Sequence, residues 1–184
     1  MTVLVPVSPW NLPNAITTLR ILLVPVFIWF LFEAADKGAW QRWVALGLFI
    51  LAISTDGVDG AIARKKGLVT NLGKILDPIA DKALIGSAMI SLAILDRFPW
   101  WIVFVILIRE VGITIFRLLV IRDGVIPASK GGKLKTLSQN FGVSFYILPL
   151  PEILYPLRDG FMAFAVALTI WTGIDYIVKW SRTR

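Results

Sequence analysis

Apolar residues gather along this chain in six long stretches, each approaching the ~20 residues that cross a bilayer as a helix. They run roughly from Asn14 to Ala34, Trp40 to Arg64, Asn71 to Leu95, Pro99 to Ile121, Gly132 to Leu150 and Gly160 to Trp180. The polar connections between them are short, which favours neighbouring antiparallel helices in one bundle. The pattern therefore predicts an all-α, polytopic membrane protein, a six-transmembrane-helix bundle forming a single domain over residues 1–184. No repeat or low-complexity segment breaks the pattern. No cleavable signal is expected, because the first apolar stretch is too long and lacks a small-residue cleavage pattern.

The polar positions orient this bundle. Arg64-Lys65-Lys66, the segment from Arg122 to Lys135, and the tail with Lys179, Arg182 and Arg184 are rich in cations. They alternate with loops where Lys37, Arg42, Arg97 and Arg158 are diluted by Glu33, Asp36, Asp96, Glu152 and Asp159. Because cationic loops stay on the cytoplasmic side, both termini are expected there. Trp40, Trp43, Trp100 and Trp101 then fall at the outer interface, with Trp10 and Trp180 at the inner one. The net charge of +7 suits anionic membrane lipids as partners and does not call for nucleic acid.

Composition adds that 57% of the residues are hydrophobic and that cysteine and histidine are both missing. Disulfides, thiol nucleophiles, imidazole catalysis and sulfur- or histidine-ligated metals are thereby excluded. Oxygen chemistry remains, a set suited to magnesium, manganese or calcium.

Against that background the stretch DGVDGAIARKKGLVTNLGKILDPIAD, residues 56–81, stands out. Four aspartates at membrane depth are costly unless something holds them, and a cluster of hard cations is the natural occupant. Asp56 and Asp59 stand i, i+3 on the second helix, and Asp77 and Asp81 stand i, i+4 on the third, so each pair shares a face. Asp59 and Asp56 are expected about 8 and 12 Å from the cytoplasmic end of their helix, and Asp77 and Asp81 about 9 and 15 Å into theirs. All four carboxylates thus meet at one depth, just inside the cytoplasmic leaflet. Gly57, Gly60, Ala61, Ala63 and Gly73 keep the region lean, either for close helix packing or for a bulky polar ligand, with packing the commoner use of such spacing. Pro78 removes an N–H and leaves the Lys74 carbonyl available to a ligand or water.

The spacing Asp56-x2-Asp59-Gly60-x2-Ala63-Arg64-x8-Gly73-x3-Asp77-x3-Asp81 resembles, at every fixed position, the signature of the CDP-alcohol phosphatidyltransferases. Beyond it, Asn11 to Asn14 with Thr17 and Arg20, the run LGKILDPIADK, the run REVGITIFR from Arg109 to Arg117 and the run GVIPASKGGKLKT look like the bacterial phosphatidylglycerophosphate synthase branch. The resemblance implies a usually homodimeric enzyme of the bacterial cell (inner) membrane, its active site facing the cytoplasm. Such an enzyme attaches an alcohol to the phosphatidyl group of CDP-diacylglycerol and releases CMP. It further implies two divalent ions, Mg2+ or Mn2+, one held by Asp56, Asp59 and Asp77 and the other by Asp56, Asp77 and Asp81, with Asp81 as catalytic base. Gly57, Gly60, Ala63, Arg64, Thr70 and Gly73 would join Asp56 and Asp59 in binding CDP-diacylglycerol.

For the branch acceptor, glycerol 3-phosphate, a cationic pocket is needed. Arg109 and Arg117 are poor company for lipid and must face a cavity or a carboxylate, for Arg109 either Glu110 or Asp175. Lys133 and Lys135 open the fifth helix, and Arg20 lies within snorkelling reach of the inner interface. These five are the acceptor-phosphate candidates. Asp175 is expected to hold the sixth helix by pairing or capping. Another alcohol acceptor such as inositol phosphate fits the same donor chemistry. A cation channel or transporter is the alternative of another class, but it predicts carboxylates along a path across the membrane and not at one depth.

Overall fold

The computed structural model describes residues 8, 11–68, 70–119 and 130–182. They form six helices: α1 Leu12–Lys37, α2 Ala39–Lys66, α3 Asn71–Ile94, α4 Trp100–Leu119, α5 Lys130–Ile147 and α6 Tyr155–Arg182, with a 3-10 turn at Glu152–Leu154 before the last. No strand occurs among the described residues. Among the described residues three segments, Leu12–Ala35, Ala39–Ala63 and Glu152–Ser181, are long and apolar enough to cross a membrane. Charge sets α3, α4 and α5 apart: Lys74, Asp77, Asp81 and Lys82 lie in α3, Arg109, Glu110 and Arg117 in α4, and Lys130, Lys133 and Lys135 in α5. The helices group into two compact units, Met1–Ser91 and Leu92–Arg184.

In the first unit, Asn11 begins α1 by accepting the Asn14 N–H at 3.0 Å on its side-chain oxygen, and Pro13 sits in the first turn, where no helical donor is lost. The buried face of α1 steps through Asn14, Thr17, Arg20, Val24, Phe27, Leu31 and Ala34, a spacing of three and four. Its C-terminal half is apolar and packs on α2, whose Ala45, Leu46, Phe49 and Ala52 are buried, with the Phe27 and Phe49 rings 5.6 Å apart. Its N-terminal half is polar. The turn between α1 and α2 is the single residue Gly38, whose φ of 105° and ψ of −162° only glycine adopts readily. At the other end of α2, Gly67 closes the helix in the left-handed conformation, and its N–H bonds the Ala63 carbonyl.

In the second unit α5 and α6 form a hairpin sealed by Phe145 on Phe161, ring centroids 5.4 Å apart. Arg158 lies over both Tyr146 and Tyr155, 4.2 Å from each ring, and bonds Asp159 at 2.7 Å. Phe116 of α4 packs edge-on against Trp180 of α6 at 5.1 Å. Trp40, Trp171, Ile108 and Leu157 are among many large apolar side chains that face outward in both units. A water-soluble surface would hide such groups, whereas hydrocarbon accepts them.

Candidate active site

Helix α2 runs unbroken to Lys66, two residues past the expected end, and this extension bears on the aspartates. Asp59 and Asp56 stand seven and ten residues before Lys66, about 10 and 15 Å along the axis. Asp77 and Asp81 stand six and ten residues after Asn71, about 9 and 15 Å along α3. Counted along the helices, the offsets of the two pairs from the α2–α3 connection therefore match more closely than the sequence pattern alone suggests. The side chains of Asp56, Asp59 and Arg64 lie outside the described residues, so their carboxylate and guanidinium positions form no part of the geometry. Asp77 and Asp81 are half-buried on one face of α3.

What holds Asp77 comes from α1. The Thr17 hydroxyl, buried to 1% exposure, donates to Asp77 Oδ1 at 2.9 Å while lying 3.2 Å from the Pro13 carbonyl. A second contact lies one turn below. The Asn14 side-chain amide meets the Thr70 hydroxyl at 2.9 Å, and that hydroxyl also accepts the Gly73 N–H at 3.0 Å, capping α3. Asn11 donates to the Leu68 carbonyl at 3.2 Å. Asn14 beside Gly73 and Thr17 beside Asp77 fix a parallel register between α1 and α3.

Several expectations drawn from the residue pattern change in detail. Thr70 and Gly73, read as donor-binding, have clear local tasks: the hydroxyl caps α3, and a Cβ at Gly73 would lie 2.7 Å from Asn14 Oδ1. Arg20, read as an acceptor-phosphate candidate, is 1% exposed on the polar N-terminal half of the buried α1 face. At Gly57 a Cβ would meet nothing within 4 Å among the described residues, so small size there leaves room on the α2 surface. Sequence reasoning missed Thr17 as a partner of Asp77. The signal was present in the three-residue spacing of Asn14, Thr17 and Arg20, which continues the apolar stripe of the same helix.

The donor set fits hard divalent cations in its chemistry: carboxylates, hydroxyls and carbonyls, in a chain without cysteine or histidine. Asp77 carries no ion pair among the described residues, so no lysine or arginine there neutralises it in place of a metal. No group of three acidic side chains comes together among the described residues, a set that omits the Asp56 and Asp59 carboxylates.

In the second unit Arg109 does face a carboxylate, and it is Glu110. Its Nη1 donates to Glu110 Oε1 at 3.0 Å, its Nη2 to the Thr172 hydroxyl at 2.8 Å and its Nε to the Thr169 carbonyl at 3.1 Å. Lys135 of α5, itself buried, donates to the same Glu110 oxygen. Gln139 secures α5 to α6 through the Thr169 hydroxyl at 2.8 Å. Asp175 pairs with Lys179 at 2.7 Å, a contact within α6. Lys133 is exposed. The Arg117 side chain and residues 120–129, which include most of the run GVIPASK, lie outside the described residues. Between α4 and α6 a groove of about 480 Å³ runs past Arg109, Gly112, Phe116, Gly173 and Ile177 and is almost wholly apolar.

Comparison with known proteins agrees with this chemistry. Residues 10–171 match the family model described as CDP-alcohol phosphatidyltransferase. A Mycobacterium tuberculosis protein named probable phosphatidylglycerophosphate synthase is 47% identical over 169 residues, covering 92% of this chain and 81% of that relative. The Bacillus subtilis CDP-diacylglycerol–glycerol-3-phosphate 3-phosphatidyltransferase is 40% identical over 183 residues, covering 92% of this chain and 95% of that relative. Its Rickettsia typhi namesake is 40% identical over 171 residues, covering 90% and 94%. With a family match across most of its length and relatives of 40–47% identity aligned over about nine-tenths of it, the chain belongs to the CDP-alcohol phosphatidyltransferase family.

Proposed function

We propose that the protein transfers the phosphatidyl group of CDP-diacylglycerol to glycerol 3-phosphate, giving phosphatidylglycerophosphate and CMP. The observation that supports the donor half is the matched spacing of Asp56 and Asp59 before the end of α2 and of Asp77 and Asp81 after the start of α3. The acceptor follows the names of the Bacillus subtilis and Rickettsia typhi relatives, each aligned over nearly its whole length. Family membership removes the channel reading, and inositol phosphate remains as a rival acceptor for the test below.

In this reading a single catalytic domain spans residues 1–184. All six helices cross the inner membrane of a bacterium, the site faces the cytoplasm and the protein acts as a homodimer. The tails of the donor stay in the bilayer while its headgroup reaches the aspartates. Asp56, Asp59 and Asp77 would hold one Mg2+ or Mn2+ and Asp56, Asp77 and Asp81 a second. When bound, the two ions neutralise pyrophosphate oxygens and the charge that develops on the leaving CMP. Thr17 fixes one oxygen of Asp77 and so the rotamer in which the carboxylate meets its ligand. Gly57 leaves the α2 surface open to the cytidine diphosphate, with Gly60, Ala63 and Arg64 continuing that face. Asp81 takes the proton from the acceptor hydroxyl as its oxygen bonds to the phosphorus of the phosphatidyl group. The pyrophosphate P–O bond on that phosphorus breaks, and CMP departs with the electron pair. The protein's part is mainly positioning and charge neutralisation, as in other phosphoryl transfers. Cations of α4 and α5 receive the acceptor phosphate, with Lys135, Lys133 and Arg117 as contacts.

The test is release of CMP from CDP-diacylglycerol by purified protein, offered glycerol 3-phosphate, inositol phosphate and uncharged alcohols in turn. Glycerol 3-phosphate should support turnover far above the rest. Preference for inositol phosphate would overturn the acceptor assignment, and no CMP release with any alcohol in the presence of Mg2+ or Mn2+ would overturn the reaction.

A further inference from the structure

Arg109, Glu110 and Lys135 form a chain of contacts that ties three helices together. The anchor is Arg109. Each of its three guanidinium nitrogens has a partner: the Thr169 carbonyl for Nε at 3.1 Å, the Thr172 hydroxyl for Nη2 at 2.8 Å and Glu110 for Nη1 at 3.0 Å. Gly173 adds to the hold, because a Cβ there would lie 3.3 Å from Arg109 Nε. Glu110 is thereby fixed from α6, and its Oε1 also takes the ammonium of Lys135 from α5. All three side chains are largely shielded, at 17%, 18% and 7% exposure for Arg109, Glu110 and Lys135. Within this cluster two cations share one carboxylate, in surroundings that screen charge poorly.

We infer that Arg109 and Glu110 are positioning residues that hold the Lys135 ammonium for the phosphate of the acceptor, and that Arg109 does not touch substrate. The inference rests on the proposed use of glycerol 3-phosphate. Arginine suits the anchoring task because its planar fork bonds in three fixed directions. Lysine suits the receiving end, since its ammonium sits on a flexible four-carbon stem and finds one place only if something fixes it. Glu110 does so from a neighbouring helix, and its own attachment to Arg109 keeps the ammonium from dragging it along. The order of action is α6 to Arg109 to Glu110 to Lys135.

The experiment is a double-mutant cycle in purified protein, with KM for glycerol 3-phosphate and KM for CDP-diacylglycerol measured separately. Lys135→Met should raise the acceptor KM by about tenfold or more, the loss expected of one charge-assisted contact to phosphate. Glu110→Gln should raise the same KM comparably while the donor KM stays within about twofold. In the Lys135→Met background Glu110→Gln should add almost nothing, because it acts only through the ammonium. Glu110→Asp, a shorter carboxylate, should fall between. Arg109→Lys should also raise the acceptor KM, and this too should vanish in the Lys135→Met background. Should Glu110→Gln fail to fold, the pair Glu110→Gln/Lys135→Met and the Glu110→Asp variant complete the comparison, since both avoid an uncompensated cation beside Arg109. If Lys135→Met raises the acceptor KM but Glu110 and Arg109 variants do not, the relay is wrong and the acceptor reading survives. If their effects multiply with that of Lys135→Met, they act independently and the relay is again wrong. If Lys135→Met leaves the acceptor KM unchanged, the inference falls, while CMP release that still requires glycerol 3-phosphate would keep the proposed function.

Discussion

Replacing Gly73 with alanine probes the junction that holds α3 against α1. A Cβ at Gly73 would lie 2.7 Å from Asn14 Oδ1 and 3.3 Å from Thr70 Oγ1. The first distance is well inside contact, so the Asn14 side chain must swing away. It is 6% exposed and faces Thr70, itself 9% exposed, with Nδ2 to Oγ1 at 2.9 Å. Swinging it leaves a buried amide without its partner, a loss of about 1 to 3 kcal/mol, and weakens the neighbouring cap by about 1 kcal/mol more. Alanine returns about 1 kcal/mol through its better helix propensity. The net expectation is about 1 to 3 kcal/mol of destabilisation in equilibrium unfolding from mixed detergent micelles. The same substitution in an Asn14→Ala background no longer meets the Asn14 oxygen, leaves only the milder 3.3 Å approach to Thr70 Oγ1, and should stabilise by up to about 1 kcal/mol. This reversal of sign is the diagnostic. If Gly73→Ala destabilises equally in both backgrounds, or stabilises the unaltered protein, the close approach of Asn14 does not constrain this position. A rise in the CDP-diacylglycerol KM without a change in stability would instead assign the missing Cβ to substrate.

Thr17→Val keeps the shape of the side chain and removes the donor to Asp77; turnover at saturating substrates should fall by about tenfold or more, and a turnover within twofold of the unaltered protein would deny the hydroxyl a part in positioning that carboxylate. Asp56→Asn and Asp77→Asn should lose both turnover and tight divalent-ion binding measured by calorimetry, whereas Asp81→Asn should lose turnover by orders of magnitude and keep donor binding; near-normal turnover of Asp56→Asn at low magnesium would refute the two-ion reading. Single cysteines at the exposed positions Lys66 and Glu152 can be probed with an impermeant thiol reagent, because the chain has no cysteine of its own. Position 152 should label from outside intact cells and position 66 should not, and labelling of position 66 would overturn the cytoplasmic site.

Much of the chemistry is legible in the residues themselves. Apolar runs separated by short polar links are enough to announce helices, because helix length and hydrocarbon content are properties of contiguous sequence. The pairing of Asp56 with Asp59 and of Asp77 with Asp81 on single faces follows from helical periodicity alone. The missing histidine and cysteine narrow the ligand chemistry without reference to any coordinate. The place of each aspartate along its helix also follows closely, since one rise per residue converts position into distance along the axis, and only the two extra residues of α2 alter it.

Tertiary structure decided which polar groups meet across helices. Nothing in the local pattern says that Thr17 will face Asp77, sixty residues away, or that Thr169 and Thr172 will receive Arg109. Those contacts depend on the register between helices, which is set by how side chains interlock and not by any period along one chain. Gly57 and Gly73 make the same distinction: both are glycines near the aspartates, yet one opens onto empty space and the other is pressed against Asn14. Arg109 was recognisable as a cation that needed a carboxylate, but whether Glu110 or Asp175 would supply it depended on side-chain placement. Asp175 pairs with Lys179 within α6, so Glu110 is left to join Arg109 to Lys135.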